Sequence, residues 1–277
     1  MVRPLLIFQR HSKQRKQIRR GVYLLPSMLT VGNLFCGYAC VVYAMRGDYI
    51  TAAPFIGIAT LIDTLDGRIA RLTGASTAFG HEFDSLADVI SFGLAPAILV
   101  FLWGLEPLGR LGWTAGFLYV TATAMRLARF NIQSGLTDKQ YFVGMPSPAA
   151  AGILASTVFA YPVGFGDSRS ALFALVLVLV PAFLMVSTIR FRNFGTSSLS
   201  RRRSYITLIL IAGVIAAIAT YPQIVLVIMA YSYLISSLAS VTISRMRRRL
   251  DSVTILIEEN EEPEHEKENK GSIERVL

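Results

Sequence analysis

Residues 49–103 read YITAAPFIGIATLIDTLDGRIARLTGASTAFGHEFDSLADVISFGLAPAILVFLW. This stretch contains two long apolar segments, Tyr49–Leu72 and Glu82–Trp103, and each is close to the roughly 20 residues that a helix needs to cross a bilayer. Because lipid cannot hydrogen-bond open backbone groups, both segments are expected to be helices. The link between them is short, so we predict an antiparallel helix pair inside a membrane.

Six further apolar segments accompany this pair. The predicted spans are Tyr23–Met45, Leu111–Phe130, Pro146–Phe165, Ser170–Ile189, Tyr205–Tyr221 and Pro222–Ile243. The composition agrees, because 53% of the 277 residues are hydrophobic and 16% are charged, whereas soluble domains carry roughly 25% charged residues. Two cysteines are too few for a disulfide-built secreted domain. The predicted fold class is therefore all-α, a polytopic membrane helix bundle.

The net charge of +9 is an orientation signal. Of the 27 Lys and Arg residues, only Arg46, Arg110 and Arg169 fall on one side of the predicted spans, and the others fall on the opposite side. The positive-inside rule then places both termini in the cytoplasm, and we expect the chain in the inner (plasma) membrane of the cell. Membrane lipids and topology account for the basic residues, so no nucleic acid is expected as a partner.

Four aspartates lie within the helix pair, Asp63 and Asp66 in its first helix and Asp84 and Asp88 near the start of its second. A charge at the bilayer centre costs at least ~2.5–3.5 kcal/mol. The spacings of three and four residues put each pair of aspartates on one helix face, so that the two faces can converge. A structural ion pair with a nearby arginine would explain one or two of these acids but not all four.

A site built only from carboxylates suits Mg²⁺ or Mn²⁺, and two such ions would neutralise the four acids and clamp a diphosphate. Gly67 and Gly80 lie on the same faces, where the lack of a side chain lets a bulky ligand approach the backbone. Arg71 can direct paired donors at phosphate oxygens. We expect a cleft that opens to the cytosol.

Residues 63–88 carry DxxDGxxARx8Gx3Dx3D with every fixed position present. In this signature the chain resembles the CDP-alcohol phosphatidyltransferase family. The resemblance implies a core of six transmembrane helices, predicted at residues 23–200, and leaves about two extra C-terminal transmembrane helices at residues 201–245.

The two ends of the chain are predicted to lie in the cytoplasm outside these helices. Residues 1–22 are expected to form a basic interfacial segment. Residues 246–277 form a polar acidic tail without a core-forming pattern.

The resemblance also implies a role for each signature residue. Asp63, Asp66, Asp84 and Asp88 would hold two divalent ions, and Asp88 would serve in addition as the general base. The remaining contacts, to the CDP-lipid, would come from Gly67, Arg71, Thr77 and Gly80.

Three other segments, residues 24–33 (LLPSMLTVGN), 126–131 (RLARFN) and 142–152 (FVGMPSPAAAG), resemble the members of this family that use serine as the acceptor alcohol. This second resemblance implies that CDP-diacylglycerol and L-serine are the substrates and that the protein is a homodimer.

Five polar residues in these segments have two open interpretations. Arg126 and Arg129 could bind a phosphate or the serine carboxylate, or could anchor a helix end to lipid headgroups. Asn131 could contact a substrate or end its helix. Thr30 and Asn33 could reach the nucleotide, or could pack one span against another.

Other functions are also compatible with the aspartates. Another CDP-alcohol phosphatidyltransferase would use glycerol phosphate, an inositol compound or choline as acceptor. A cation-coupled transporter is a second class, because intramembrane acids also mark ion pathways. The clustering of the acids on the cytoplasmic side and the lack of paired breaks at mid-membrane disfavour a transporter.

Overall fold

The computed structural model describes residues 26–73, 77–133, 141–187, 190–192 and 204–239. Helices account for most of these residues, and one helix corresponds to each predicted span, so the all-α fold class is confirmed. The helices are α1 (Pro26–Met45), α2 (Tyr49–Thr73), α3 (Ala78–Leu108), α4 (Arg110–Gln133), α5 (Ser147–Ala160), α6 (Ser168–Val186), α7 (Ser204–Thr220) and α8 (Pro222–Ala239).

The surface of the bundle is that of a multi-pass membrane protein. Helices α1, α2, α3, α6 and α8 are long and apolar enough to cross a bilayer, while α5 is a shorter apolar helix. Large apolar side chains face outward, as at Phe35, Trp113 and Phe183, which are 62%, 71% and 72% exposed. Apolar side chains exposed on several helices match a lipid environment better than water.

Helix α3 is longer than the predicted span Glu82–Trp103 and is not a regular α-helix throughout. It begins after Thr77, whose hydroxyl accepts a hydrogen bond from the backbone N–H of Gly80 at 3.0 Å, as an N-cap residue does. Two π-helical segments, Val89–Leu94 and Phe101–Leu105, interrupt it. The first starts directly after Asp88, where a π-turn shifts the direction of the following side chains.

Close packing of α1 against α3 sets the position of one wall of the site. A Cβ atom added at Gly37 would lie 2.7 Å from Ser91 Oγ and 2.8 Å from Ser91 Cα, so only glycine permits this approach. One turn earlier on α1, the carbonyl oxygen of Asn33 accepts a hydrogen bond from Ser91 Oγ at 2.9 Å.

We expect Gly37→Ala to destabilise the protein, because the added methyl group must push α1 away from the backbone of α3. Overpacking of this kind costs ~1–3 kcal/mol, so the midpoint of thermal unfolding in detergent should fall by several degrees. Gly57→Ala on α2 is the matched control, because a Cβ atom there meets nothing within 4 Å. Equal midpoints for the two variants would contradict the packing argument.

A short antiparallel ribbon joins the region before α5 to the region after α6. It pairs β1 (Tyr141–Val143) with β2 (Arg190–Arg192). Gly144 follows β1 with φ +85°, and a side chain there would collide with the carbonyl oxygen of Met185. No pattern in the sequence predicts this ribbon. Among the helices, α4 packs along α6 and α2 packs along α5.

Residue contacts divide the chain into two units, Met1–Ser232 and Tyr233–Leu277. The site and the cavity described below belong wholly to the first unit. Of the second unit, the structure describes residues 233–239, which form the end of α8. The predicted basic segment at residues 1–22 and the acidic tail at residues 246–277 lie outside the described residues.

Candidate metal centre

Three of the four predicted aspartates meet between α2 and α3. Asp63 comes from α2, and Asp84 and Asp88 come from α3. Each offers one carboxylate oxygen, and these three oxygens lie within 4.8 Å of one another. The two aspartate-bearing faces that the helical spacing predicts therefore converge at these three residues.

The surroundings of these carboxylates fit a divalent cation. Asp88 is 8% exposed, and Asp84 Oδ1 is buried with no hydrogen-bond partner among the described residues. A buried polar oxygen without a donor is costly, and clustered carboxylates repel one another unless a cation lies between them. Because all the donors are oxygens, a hard cation such as Mg²⁺ or Mn²⁺ fits better than zinc.

Asp66 lies beside this group but has a different partner. It is 6% exposed, and its Oδ2 accepts a hydrogen bond from Thr30 Oγ1 at 2.5 Å. Its oxygens are not part of the three-membered oxygen group. The structure thus ties Asp66 to α1, and its role as a metal ligand stays a prediction.

Asn33 is the second residue of α1 that contacts an aspartate. It is 1% exposed, and its Nδ2 donates a hydrogen bond to Asp88 Oδ1 at 3.0 Å. A carboxylate can only accept, so the amide must turn its NH₂ group toward Asp88. Asn33 Oδ1 is then left buried without a hydrogen-bond partner in the part of the chain that the structure describes. Thr30 and Asn33 therefore hold aspartate side chains directly.

The residues predicted to contact the CDP-lipid lie at the same end of α2 and α3. Gly67 is exposed on α2. Gly80 lies in the first turn of α3, where an added Cβ atom would come within 3.0 Å of Thr77 Oγ1. Thr77 is exposed and caps α3. Arg71 belongs to α2, and its side chain lies outside the described residues.

The three polar residues near the end of α4 each contact a different helix. Arg126 Nη1 donates to Ser147 Oγ on α5 at 2.6 Å. Arg129 Nη1 donates to the carbonyl oxygen of Val186 at the end of α6 at 3.1 Å. Asn131 Nδ2 donates to Ser85 Oγ on α3 at 2.9 Å.

Arg126 is close enough to the metal centre for its charge to act on both Asp63 and Asp88. Sequence reasoning missed Ser147 and Ser85, which hold Arg126 and Asn131. Ser147 stands between the two prolines that open α5, within the segment 142–152 that carries the family resemblance, and these are its signals in the sequence. Ser85 has no such signal, because a single serine beside an aspartate has no pattern of its own.

Comparison with known proteins adds a family to this geometry. The family model for CDP-alcohol phosphatidyltransferase matches residues 23–189. A CDP-diacylglycerol–serine O-phosphatidyltransferase of Helicobacter pylori is 38% identical over 176 residues, covering 62% of this chain and 73% of that protein. A protein of the same name from Mycobacterium leprae is 32% identical over 228 residues, covering 79% and 76%. An archaetidylserine synthase of Methanothermobacter thermautotrophicus is 37% identical over 169 residues, covering 60% and 69%.

Proposed function

The chain belongs to the CDP-alcohol phosphatidyltransferase family, and we propose that it transfers the phosphatidyl group of CDP-diacylglycerol to the hydroxyl group of L-serine. The products are phosphatidylserine and CMP. The observation that carries this proposal is the convergence of Asp63, Asp84 and Asp88 within the region that the family model covers. Serine is favoured as the acceptor because the names of the three relatives all contain it.

We propose that Asp63, Asp66, Asp84 and Asp88 hold two Mg²⁺ or Mn²⁺ ions. The oxygen-only donor set and the unpartnered buried oxygen of Asp84 support this assignment. When bound, the ions supply positive charge next to the diphosphate, where negative charge develops during phosphoryl transfer.

Asp88 is the proposed general base. Asn33 donates a hydrogen bond to Asp88 Oδ1, and we assign the proton of the serine hydroxyl to the other oxygen, Oδ2. The serine oxygen then attacks the phosphorus that carries the diacylglycerol ester. A new P–O bond forms, the bond from this phosphorus to the CMP oxygen breaks, and CMP leaves with the electron pair.

The CDP moiety is proposed to lie against Gly67, Arg71, Thr77 and Gly80. The exposed backbone at Gly67 supports this placement, since a ligand can approach it without meeting a side chain. Because Thr77 caps α3, any contact that it makes with the ligand comes at the end of the helix that carries Asp84 and Asp88.

Of the remaining candidate contacts, Arg126 is the one we assign to the substrate, as the partner of the serine carboxylate. Its charge acts on Asp63 and Asp88, and Ser147 orients its guanidinium from α5. All three residues donate to a neighbouring helix, and the charge that Arg126 exerts on the aspartates distinguishes it from Arg129 and Asn131, which are assigned to holding the end of α4.

We expect Arg126→Lys to raise the KM for serine roughly 10–100-fold, the equivalent of losing one or more charge-assisted hydrogen bonds. Arg129→Lys, three residues along the same helix, is the matched control and should change the KM less than threefold. Steady-state kinetics with varied serine and saturating CDP-diacylglycerol measure both. Equal effects of the two variants would contradict the assignment of Arg126.

The acceptor alcohol is tested by CMP release from the purified full chain in the presence of CDP-diacylglycerol and Mg²⁺ or Mn²⁺. Release should depend on serine, and radiolabelled serine should appear in the lipid fraction. Faster release with glycerol phosphate, an inositol compound or choline would identify another member of the family. Uptake of serine into vesicles without CMP release would favour a cation-coupled transporter.

We further propose that the protein lies in the inner (plasma) membrane with both termini in the cytoplasm and acts as a homodimer. The one-sided distribution of Lys and Arg supports this orientation. In this arrangement residues 23–200 form the catalytic core and residues 201–245 contribute an extra helix pair, flanked by the basic segment at residues 1–22 and the acidic tail at residues 246–277.

A further inference from the structure

A cavity of about 690 Å³ lies far from the aspartates. It is half-open and is lined by the last part of α3, the end of α5, the start of α6 and the first half of α8. Trp103 on its wall follows Asp88 by 15 residues along α3, a helical distance of roughly 22 Å. The cavity therefore belongs to the opposite end of the bundle from the metal centre and takes no part in the proposed reaction.

The wall of the cavity offers a ligand almost nothing but apolar surface. No charged residue lines it. The indole N–H of Trp103 is directed to the carbonyl oxygen of Tyr161 at 2.6 Å. The hydroxyl of Thr157 donates to the carbonyl oxygen of Ile153 at 2.8 Å and accepts from the hydroxyl of Tyr231 at 3.1 Å. Gln223 and Tyr161 add an amide and a phenol to the lining, but the wall is uncharged and mostly apolar, so the cavity suits an uncharged, largely apolar ligand.

The depth of the cavity matches one leaflet of a bilayer. On α8 its lining runs from Gln223 to Tyr231, and eight residues of helix span roughly 12 Å. Half of the hydrocarbon core measures ~15 Å. The aromatic rings of Phe165 and Phe173 line the same space and lie edge to face, with their centroids 6.1 Å apart.

We propose that this cavity binds one acyl chain of a membrane phospholipid from the leaflet opposite the metal centre, inserted between α8 and helices α3, α5 and α6. The uncharged wall, the volume and the one-leaflet depth together select a hydrocarbon chain. Since no charged side chain lines the cavity, binding does not depend on the headgroup. The proposal is independent of the proposed reaction.

The protein contains its own probe for this site. Its two tryptophans are Trp103, which lines the cavity and is 2% exposed, and Trp113 on α4, which is 71% exposed. Trp113→Phe leaves Trp103 as the sole tryptophan. We expect its fluorescence in the reconstituted full chain to fall when the bilayer phospholipids carry brominated acyl chains, to the same extent with zwitterionic and anionic headgroups.

Two further variants in the Trp113→Phe background separate a bound chain from lipid around the bundle. Val227→Phe fills the cavity from α8, whereas Leu226→Phe adds the same ring one residue away, at a side chain that does not line the cavity and is 37% exposed. Quenching should fall at least twofold in Val227→Phe and stay unchanged in Leu226→Phe. Ala160→Leu fills the cavity from α5 and should match Val227→Phe if that variant folds poorly.

Three results would overturn the proposal. Absence of quenching in the Trp113→Phe protein would mean that the cavity is empty or is filled by a helix of a second copy. Equal quenching in Val227→Phe, Ala160→Leu and Leu226→Phe would mean that only surrounding lipid reaches Trp103. Quenching by lipids of a single headgroup would mean that the headgroup, and not the chain, is recognised.

Discussion

Asp88→Asn is expected to lower the rate of phosphatidyl transfer by about 10²–10⁴-fold, the range that a general base contributes. The substitution keeps the shape of the side chain, and the new amide oxygen can still accept the hydrogen bond that Asn33 donates to Asp88. It removes the ability to take a proton from serine and, because Asp88 is also a proposed metal ligand, it weakens metal binding, so both assays are run at saturating Mg²⁺ or Mn²⁺. Binding of CDP-diacylglycerol should therefore persist while turnover is lost.

The measurement is CMP release at saturating serine, paired with the Kd for CDP-diacylglycerol from a direct binding assay. Glu82→Gln is the matched control, because it makes the same chemical change at an exposed position on the same helix and should leave both quantities unchanged. Near-normal turnover in Asp88→Asn would show that another group accepts the proton. Loss of lipid binding together with turnover would show that Asp88 acts through binding.

The part of the site that sequence predicts well is the part governed by local geometry. Asp63 lies on one helix, Asp84 and Asp88 on the next, and a link of only a few residues forces the two helices to run antiparallel. Helical periodicity then fixes which faces carry the carboxylates, so spacing predicts that the faces can meet, and Asp63, Asp84 and Asp88 do meet in the structure.

The contacts that complete the site come from helices distant in sequence, and there prediction fails. Asn33 reaches Asp88 across 55 residues, and Asn131 reaches Ser85 across 46. Isolated polar residues in apolar helices leave two interpretations open, packing or substrate contact, because neither produces a periodic pattern. Only the packing of the helices against one another selects the partner.

Helix α3 shows a second limit. Hydropathy identifies an apolar stretch but not its hydrogen-bond register, so it cannot reveal the π-helical segments Val89–Leu94 and Phe101–Leu105.

The family resemblance assigns Thr77 to the CDP-lipid, and the structure adds a helix-capping role. A capping box would have Glu or Gln three residues after Thr77, but Gly80 stands there, so the sequence does not show the usual signature of an N-cap. The ribbon between β1 and β2 pairs segments of three residues, which are too short to produce a strand pattern.

Asp84→Asn is expected to change metal binding and stability in opposite directions. Asp84 is predicted to be a metal ligand, and even partners outside the ligand shell contribute about 10–100-fold to metal affinity, so the Mn²⁺ concentration for half-maximal activity should rise at least that much. Without metal, the same substitution removes one of three negative charges whose oxygens lie within 4.8 Å. It also places an NH₂ group where it can donate to Asp63 or Asp88, so the metal-free protein should become more stable.

A fall in Mn²⁺ affinity together with a rise in the stability of the metal-free protein distinguishes a metal ligand from a structural carboxylate. Loss of a structural hydrogen bond would instead lower stability with or without metal. The test compares the thermal midpoint in EDTA with Mn²⁺ binding followed by electron paramagnetic resonance in the absence of substrates. Asp48→Asn is the control, since it removes one charge at an exposed position and keeps an oxygen to accept the hydrogen bond from the N–H of Thr51. A lower thermal midpoint in EDTA for Asp84→Asn, together with unchanged Mn²⁺ affinity, would refute the metal centre. Such a carboxylate would stabilise the metal-free fold without affecting the ion, and it would not be a ligand.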